Sequence, residues 1–366
     1  MERVKIVHIL THGQLGGAER SVQWLAGALD RARFDYHFVF LFGGGPVCAA
    51  ITAMGYPVHL LRWRTGNAWM SRLRLARLLR QIRPALIHDQ DATRFVHPWL
   101  RLGAFCPLIS TQHGSFADRQ PEKWLNWLEQ LDDWSTDLVV ANSNFSAGIH
   151  RQLYRRSKLA IRTVYLGIDL TQFVEQPTAS PALNNPAKFR VVFVGRFEVI
   201  KGALQLPLLA QALRQRGLDQ FDILIAGDGR ARTACIELAQ QLEVEQHLVW
   251  LGWQTDVSSV FAGADIVVFP TMCPEAFGLV PLEALAAGTP VVAYEAGGVP
   301  EALTDAPGAY LVPQGDVEAM ADVIIKLAGG YLKPDPAASR DYVRTRFDVR
   351  RTAAELEAIY TELLKK

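Results

Sequence analysis

Short runs rich in Val, Ile and Phe alternate with longer stretches of helical periodicity along this sequence, and the pattern breaks off once and starts again. The first series of candidate strands is Lys5–Leu10, His37–Phe42, Val58–Leu61, Leu86–His88, Leu108–Gln112, Leu138–Asn142 and Arg162–Tyr165. A stretch rich in Pro and Asn follows, from Gln176 to Pro186, which reads as an interdomain linker or long loop. The second series is Arg190–Val194, Asp222–Ala226, Leu248–Leu251, Ile266–Pro270, Val291–Tyr294 and Tyr310–Val312. Strands alternating with helices imply parallel sheets covered by helices on both faces. The expected fold class is therefore α/β, with two doubly wound domains. Ligands of such sheets bind at the carboxyl ends of the strands, which puts the expected site in a cleft between the two. The expected divisions are a first domain over 1–172, a second over 173–345, and a final helical segment over 346–366 that packs back on the first.

The bulk numbers agree with that reading and exclude others. At 366 residues the chain is long enough for two domains, each with its own core. Hydrophobic residues make up 49% and charged residues 20%, the balance of a soluble globular protein. A formal net charge of +1 leaves no global field to mark a nucleic-acid binder. Cys48, Cys106, Cys235 and Cys273 are scattered and never form a C-x2-C pair. That spacing fits free thiols in a reducing compartment and supports neither a disulfide framework nor a zinc site. The apolar part of the N-terminus is too short for a secretory leader. The uncharged stretch from Phe38 to Leu61 is broken by Gly43-Gly-Gly-Pro46, so no membrane span is expected. The expected location is cytoplasmic.

The densest chemistry lies in Pro274-Glu-Ala-Phe-Gly-Leu-Val-Pro-Leu-Glu283. Glu275 is expected on the loop leaving the strand that ends at Pro270, and Glu283 inside the next helix. Between them, the backbone amides around Gly278, Leu279 and Val280 fall at the helix N-terminus, where unpaired N–H groups and the helix dipole form a natural phosphate cradle. Carboxylates beside a phosphate repel it unless they face hydroxyls, which makes sugar and ribose hydroxyls their sensible partners. The pair alone fits equally a surface glutamate and a helix-start glutamate of any α/β protein. A second patch, Val194-Gly-Arg-Phe-Glu-Val-Ile-Lys-Gly202, ends the first strand of the second domain. Arg196 and Lys201 flank a turn that Gly195 and Gly202 allow to bend tightly. Two cations there can neutralise a diphosphate, although exposed loop cations are more often merely solvated. Weaker signals are Gly16-Gly17, a glycine turn opening a helix, His113 directly after a strand, and the turn Gly227-Asp-Gly-Arg230.

Taken together these segments resemble glycosyltransferase family 4, whose members have the GT-B fold of two facing Rossmann-like domains. The likeness continues through Gly297-Gly-Val-Pro-Glu301 and Gly308-Ala-Tyr-Leu-Val-Pro-Gln-Gly-Asp316, and covers nearly the whole length. It implies a retaining glycosyltransferase that uses a nucleotide-diphosphate sugar, UDP- or GDP-linked, and a glycan, lipid-linked or small-molecule acceptor. In the roles it implies, Glu275 and His113 contact the transferred sugar and Glu283 the ribose. Arg196 and Lys201 meet the diphosphate, and Gly16, Gly17, Gly278, Leu279 and Val280 serve donor binding. One departure stands out: Leu166-Gly-Ile-Asp169 replaces the family's frequent Asn-Gly-Ile-Asp, so position 166 is left out of the site.

No cofactor is expected, since the nucleotide sugar is a substrate, and no metal. The nearest thing to an Asp-x-Asp metal pair, Asp89-Gln-Asp91, follows a strand of the first domain, away from the phosphate cations. No G-x-G-x-x-G follows either first strand, which disfavours hydride transfer. A GT-B phosphorylase, a sugar-nucleotide epimerase and a nonenzymatic nucleotide-sugar-binding protein stay open as alternatives. One further stretch has two readings. No acidic residue lies between Asp35 and Asp89, while Arg62, Arg64, Arg72, Arg74, Arg77, Arg80 and Arg83 all do, interleaved with Trp63, Trp69 and Met70. From Arg62 to Arg83 the chain can rest peripherally on an anionic membrane surface, such as the inner face of the plasma membrane. It is equally a core-packed helix with a solvated basic face. Nucleic acid is not an expected partner.

Overall fold

A computed structural model describes residues 3–63, 68–90, 96–113, 134–153, 159–174 and 188–365. The expected linker over 176–186, together with Arg64 and Asp91, lies outside the described residues. The chain divides into two compact units, Met1–Gly167 with Val349–Lys366, and Ile168–Asp348. These divisions differ by a few residues from 172/173 and 345/346. The reason is local: Ile168 pairs with Asp348 in an isolated parallel bridge, and the Ile168 amide donates to the Phe347 carbonyl. That pairing ties both crossing points to the second unit.

The described residues of the first unit form a seven-stranded sheet: β1 (Val4–His12), β2 (Phe34–Gly43), β3 (Val58–Leu60), β4 (Leu86–Gln90), β5 (Leu108–Gln112), β6 (Leu138–Ala141) and β7 (Ala160–Thr163). Their order is β3-β2-β1-β4-β5-β6-β7, all parallel. The second unit holds β8 (Phe189–Val194), β9 (Phe221–Ala226), β10 (Leu248–Gly252), β11 (Ile266–Phe269), β12 (Val291–Tyr294) and β13 (Ala309–Val312), ordered β10-β9-β8-β11-β12-β13. In each unit the winding reverses between the first and fourth strands, β1/β4 and β8/β11. That reversal opens the crevice in which doubly wound sheets take ligands.

Central strands such as β8, β11 and β12 read as unbroken apolar runs because helices cover both faces. In β8, Val191 to Val194 are all buried, and in β11 so are Ile266 to Phe269. Alternate residues of those strands pack on Leu206, Leu209 and Leu213 of the helix Gln205–Gln215. Each fully buried aliphatic side chain of this kind contributes about 1.5–3 kcal/mol. The last helix, Val349–Leu363, belongs to the first unit and carries polar ties as well as an apolar face. Glu357 Oε1 accepts from the Asp30 amide and the Tyr36 hydroxyl, each at 2.7 Å, and the Tyr360 hydroxyl meets His88 Nδ1 at 2.6 Å.

Candidate active site

In the second unit, the loops leaving β8 and β11 carry the charged residues, and both flank the reversal point. The β8 loop turns through a short 3-10 segment, Val199–Lys201, and closes on Gly202 at φ 86°. A side chain there would be strained in φ, and its Cβ would stand 1.9 Å from the Pro270 carbonyl oxygen. Glycine thus lets the two loops touch backbone to backbone, and the Met272 amide donates to the Ile200 carbonyl at 2.9 Å. This close approach delivers Lys201. Its Nζ donates to Glu275 Oε1 at 2.6 Å, and the Thr271 hydroxyl donates to the same oxygen at 2.7 Å. Glu275 is itself pinned by a parallel bridge to Gly297, with the Gly298 amide donating to its carbonyl at 2.8 Å.

The remaining residues of this unit surround that pair differently. Arg196 is exposed and makes no ion pair among the described residues. Its loop is held by the Phe197 amide on the Asp228 carbonyl at 2.9 Å, which brings the Gly227–Arg230 turn alongside. Gly278 caps the helix Leu279–Ala287 at φ 98°, with no side-chain cap on the first amides. Positive φ at that residue re-aims the chain and leaves the Leu279 and Val280 N–H groups at an uncapped helix start. Glu283 lies in this helix at 3% exposure and is already partnered. The sequence reading missed Thr271; its only signal was a hydroxyl four residues before a glutamate.

In the first unit, Gly16 is the N-cap of the helix Gly17–Ala28, again without a side-chain cap, and Gly17 has open space around it. His113 follows β5 and lies with Gln90 and Thr111 on a small pocket also bounded by Ser21, Val22 and Gly167. His113 Nε2 lies 2.8 Å from Gln90 Oε1. An amide oxygen only accepts, so Nε2 carries the proton and Nδ1 is a bare acceptor, buried and unbonded among the described residues. Burial pushes His113 down to about 4, so the ring is neutral at pH 7. Gln90 Nε2 in turn faces His8 Nδ1 at 3.2 Å, and burial pushes His8 down to about 3. Gln90 gave no signal in the sequence, because nothing there shows that the end of β4 lies beside the end of β5, where His113 follows.

Two expectations about other residues change. Asp89 is not a loop carboxylate: β4 runs on to Gln90, which leaves Asp89 2% exposed with Oδ2 at 2.8 Å from His97 Nε2. The basic stretch is split by packing. Trp63 is buried with Arg72 stacked over it at 5.5 Å, and Leu75, Leu79 and Ile82 of the helix Ala68–Ile82 join the core. Arg74, Arg77, Arg80, Trp69 and Met70 are exposed. Among the described residues no helix is long and apolar enough to cross a membrane.

Two doubly wound parallel sheets, each with its own reversal point, place the molecule in the GT-B class. The chain is similar in fold to the Anabaena protein HepE, solved in complex with UDP, with a TM-score of 0.82 at 21% identity over 98% of this chain and all of that one. Residues 15–172 match the family described as Glycosyltransferase Family 4, and residues 176–338 match Glycosyl transferases group 1. The D-inositol 3-phosphate glycosyltransferase of Saccharomonospora viridis is 34% identical over 62% of this chain and 56% of that protein. The N-acetyl-alpha-D-glucosaminyl L-malate synthase of Bacillus anthracis is 30% identical over 72% of this chain and 70% of that protein. The match thus spans little more than half the length of the first relative. The chain belongs to glycosyltransferase family 4.

Proposed function

We propose that this protein transfers a sugar from a nucleoside-diphosphate sugar to a small hydroxylated acceptor, with retention of anomeric configuration. The observation that carries the reading is the Lys201–Glu275 contact at the β8/β11 reversal point, beside the uncapped helix start at Gly278. A cation, a carboxylate and free amides in that order suit phosphate, sugar hydroxyl and phosphate. UDP is the favoured nucleotide because HepE was solved with it. A small acceptor is favoured over a glycan or a lipid-linked one because the relatives are named for inositol 3-phosphate and malate.

In this reading Arg196, Lys201 and the Leu279 and Val280 amides face the diphosphate. Glu283 holds the ribose hydroxyls, Glu275 and the neutral His113 orient the sugar, and Gly16 and Gly17 let backbone approach the donor. As the bond from the anomeric carbon to the phosphate oxygen breaks, negative charge grows on the leaving diphosphate. Fixed cations and amides stabilise it, typically by about 2.7–4 kcal/mol for each donor. The acceptor hydroxyl attacks from the face the diphosphate leaves, and a departing phosphate oxygen takes its proton. Arg196, Lys201 and the amides supply the neutralisation, so no metal is assigned. The basic face of Arg74, Arg77 and Arg80 permits peripheral contact with an anionic membrane of a cytoplasmic protein.

The test is a panel of UDP-glucose, UDP-N-acetylglucosamine and GDP-mannose, offered with inositol phosphate and malate. Nucleotide release should depend on acceptor, and nuclear magnetic resonance of the product should show the donor's own anomeric configuration. Inversion would overturn the retaining assignment. Release driven by inorganic phosphate would make the protein a phosphorylase.

A further inference from the structure

Glu275 receives its side-chain hydrogen bonds on one oxygen, two short ones from Lys201 and Thr271 and a long, weak one from the Cys273 thiol at 3.9 Å. Lys201 Nζ and Thr271 Oγ1 converge on Oε1 at 2.6 and 2.7 Å, and Oε2 has no hydrogen bond among the described residues. The two donors differ in kind. Lys201 Nζ has three protons and reaches the site on a flexible stem, so it can divide itself between Glu275 and a phosphate. Thr271 is fully buried and has one proton. Its other near partners, the Ile200 and Cys273 carbonyls and the Cys273 sulfur, lie at 3.4, 3.5 and 3.5 Å, so the proton goes to the much closer carboxylate. The Thr271 backbone is fixed as well, since Gln314 Nε2 donates to its carbonyl at 3.2 Å and the adjoining Met272 amide binds Ile200. A β-branched side chain on a fixed backbone has little freedom at χ1.

We infer that Thr271 is the positioning residue of the site: its hydroxyl holds Glu275 Oε1, which turns Oε2 toward the sugar hydroxyls and keeps it there when Lys201 moves to the donor phosphate. This rests on the assignment of Glu275 to the sugar. Thr271 itself touches no substrate and acts only through the carboxylate. Loss of the hydroxyl frees the carboxylate to rotate, which misaligns the sugar in the transition state more than it weakens binding of the nucleotide. Misplacement of that sort costs about 10- to 100-fold in rate.

The experiment is a double-mutant cycle on the full chain, with the donor from the panel that supports turnover, read as nucleotide release. Thr271→Val should lower kcat about 10- to 100-fold with a donor KM within about threefold of the parent. Thr271→Ser, which keeps the hydroxyl, should restore most of the rate. Thr271→Val in the Glu275→Gln background should cost nothing further, because the partner it acts through is already changed. Circular dichroism melts check folding, and Thr271→Ala takes the place of Thr271→Val if that variant is unfolded. Additive losses, a loss confined to KM, or Thr271→Ser as slow as Thr271→Val each overturn the positioning role while leaving the Glu275 assignment standing. Parent-like transfer by Glu275→Gln removes the carboxylate from the reaction and overturns both.

Discussion

Lys201 and Glu275 meet at 2.6 Å across 74 residues of sequence, with both side chains largely buried. In the proposed site this one contact joins the cation assigned to the diphosphate and the carboxylate assigned to the sugar. Lys201→Ala removes charge from the donor site and strands a desolvated carboxylate. It should slow transfer by about 10²–10³ and cost about 1–3 kcal/mol of stability. Steady-state rates and urea unfolding measure the two effects, and a variant unchanged in both would take the pair out of the site.

Glu275→Gln and Glu283→Gln should both impair turnover strongly, but they should differ in stability. Glu275 lies on a loop whose backbone is held by Gly297 and Gly298, and glutamine keeps the side chain's shape. Stability of this variant should fall, because Lys201 loses its counter-ion, but by less than that of Glu283→Gln. The amide oxygen can still accept from Lys201 and Thr271. Glu283 is 3% exposed inside a helix and already partnered, so the amide leaves a buried group mismatched. A loss of about 1–3 kcal/mol is expected. Calorimetry showing equal stability for both variants would place Glu283 outside the packed interior.

Transfer should persist in excess chelator. Arg196 is exposed and unpaired by any carboxylate among the described residues, which leaves it available to a diphosphate. Arg196→Ala should then cost about 10²–10³ in rate. Activity lost in chelator and restored by magnesium or manganese would defeat the metal-free assignment.

Arg74, Arg77 and Arg80 are exposed on one helix, whereas Arg72 is stacked over the buried Trp63. Replacing the three exposed residues with Gln should weaken binding to phosphatidylserine vesicles by about 1 kcal/mol each. Stability should be unchanged for Arg74 and Arg77 and fall only slightly for Arg80, whose guanidinium donates to the Leu102 carbonyl at 3.1 Å. Arg72→Gln should instead lower stability. Vesicle sedimentation showing no binding by the parent protein would assign the helix to a solvated basic face alone.

Acid should unfold the first unit through its histidines. His8 and His113 are held at about 3 and about 4 in the folded chain, below the ordinary 6.5, by burial. Between those values and 6.5 the unfolded chain binds more protons than the folded one. Stability is therefore complete above about 6.5 and falls as pH drops toward 4 for His113 and toward 3 for His8. Each contributes a slope of up to about 1.4 kcal/mol per pH unit. Urea titrations at pH 7, 6, 5 and 4 should show it, and His8→Phe should flatten the slope. A slope unaltered in that variant would exclude His8 as a source.

Much of this molecule is legible in its sequence. Each of the thirteen expected strands is present within a few residues of its place; the central ones, such as β8, β11 and β12, are buried on both faces and leave unbroken apolar runs between polar turns. The β8 turn and the helix start at Gly278 are written in glycines whose backbone angles other residues resist. Spacing likewise puts Glu283 in a helix and Glu275 on a loop.

Only the tertiary structure decides which of these residues meet. The basic stretch has one periodicity, yet packing buries Trp63 and leaves Trp69 exposed. Asp89 looks like a loop ligand until pairing with β1 and β5 carries β4 past it and His97 closes on its carboxylate. Thr271 and Lys201 converge on a single oxygen, and Gln90 sets which nitrogen of His113 carries the proton. Local windows of sequence specify conformation through sterics and periodicity. Hydrogen-bond partners come from strands and loops far apart in the chain, and only the order in which the sheets assemble makes them neighbours.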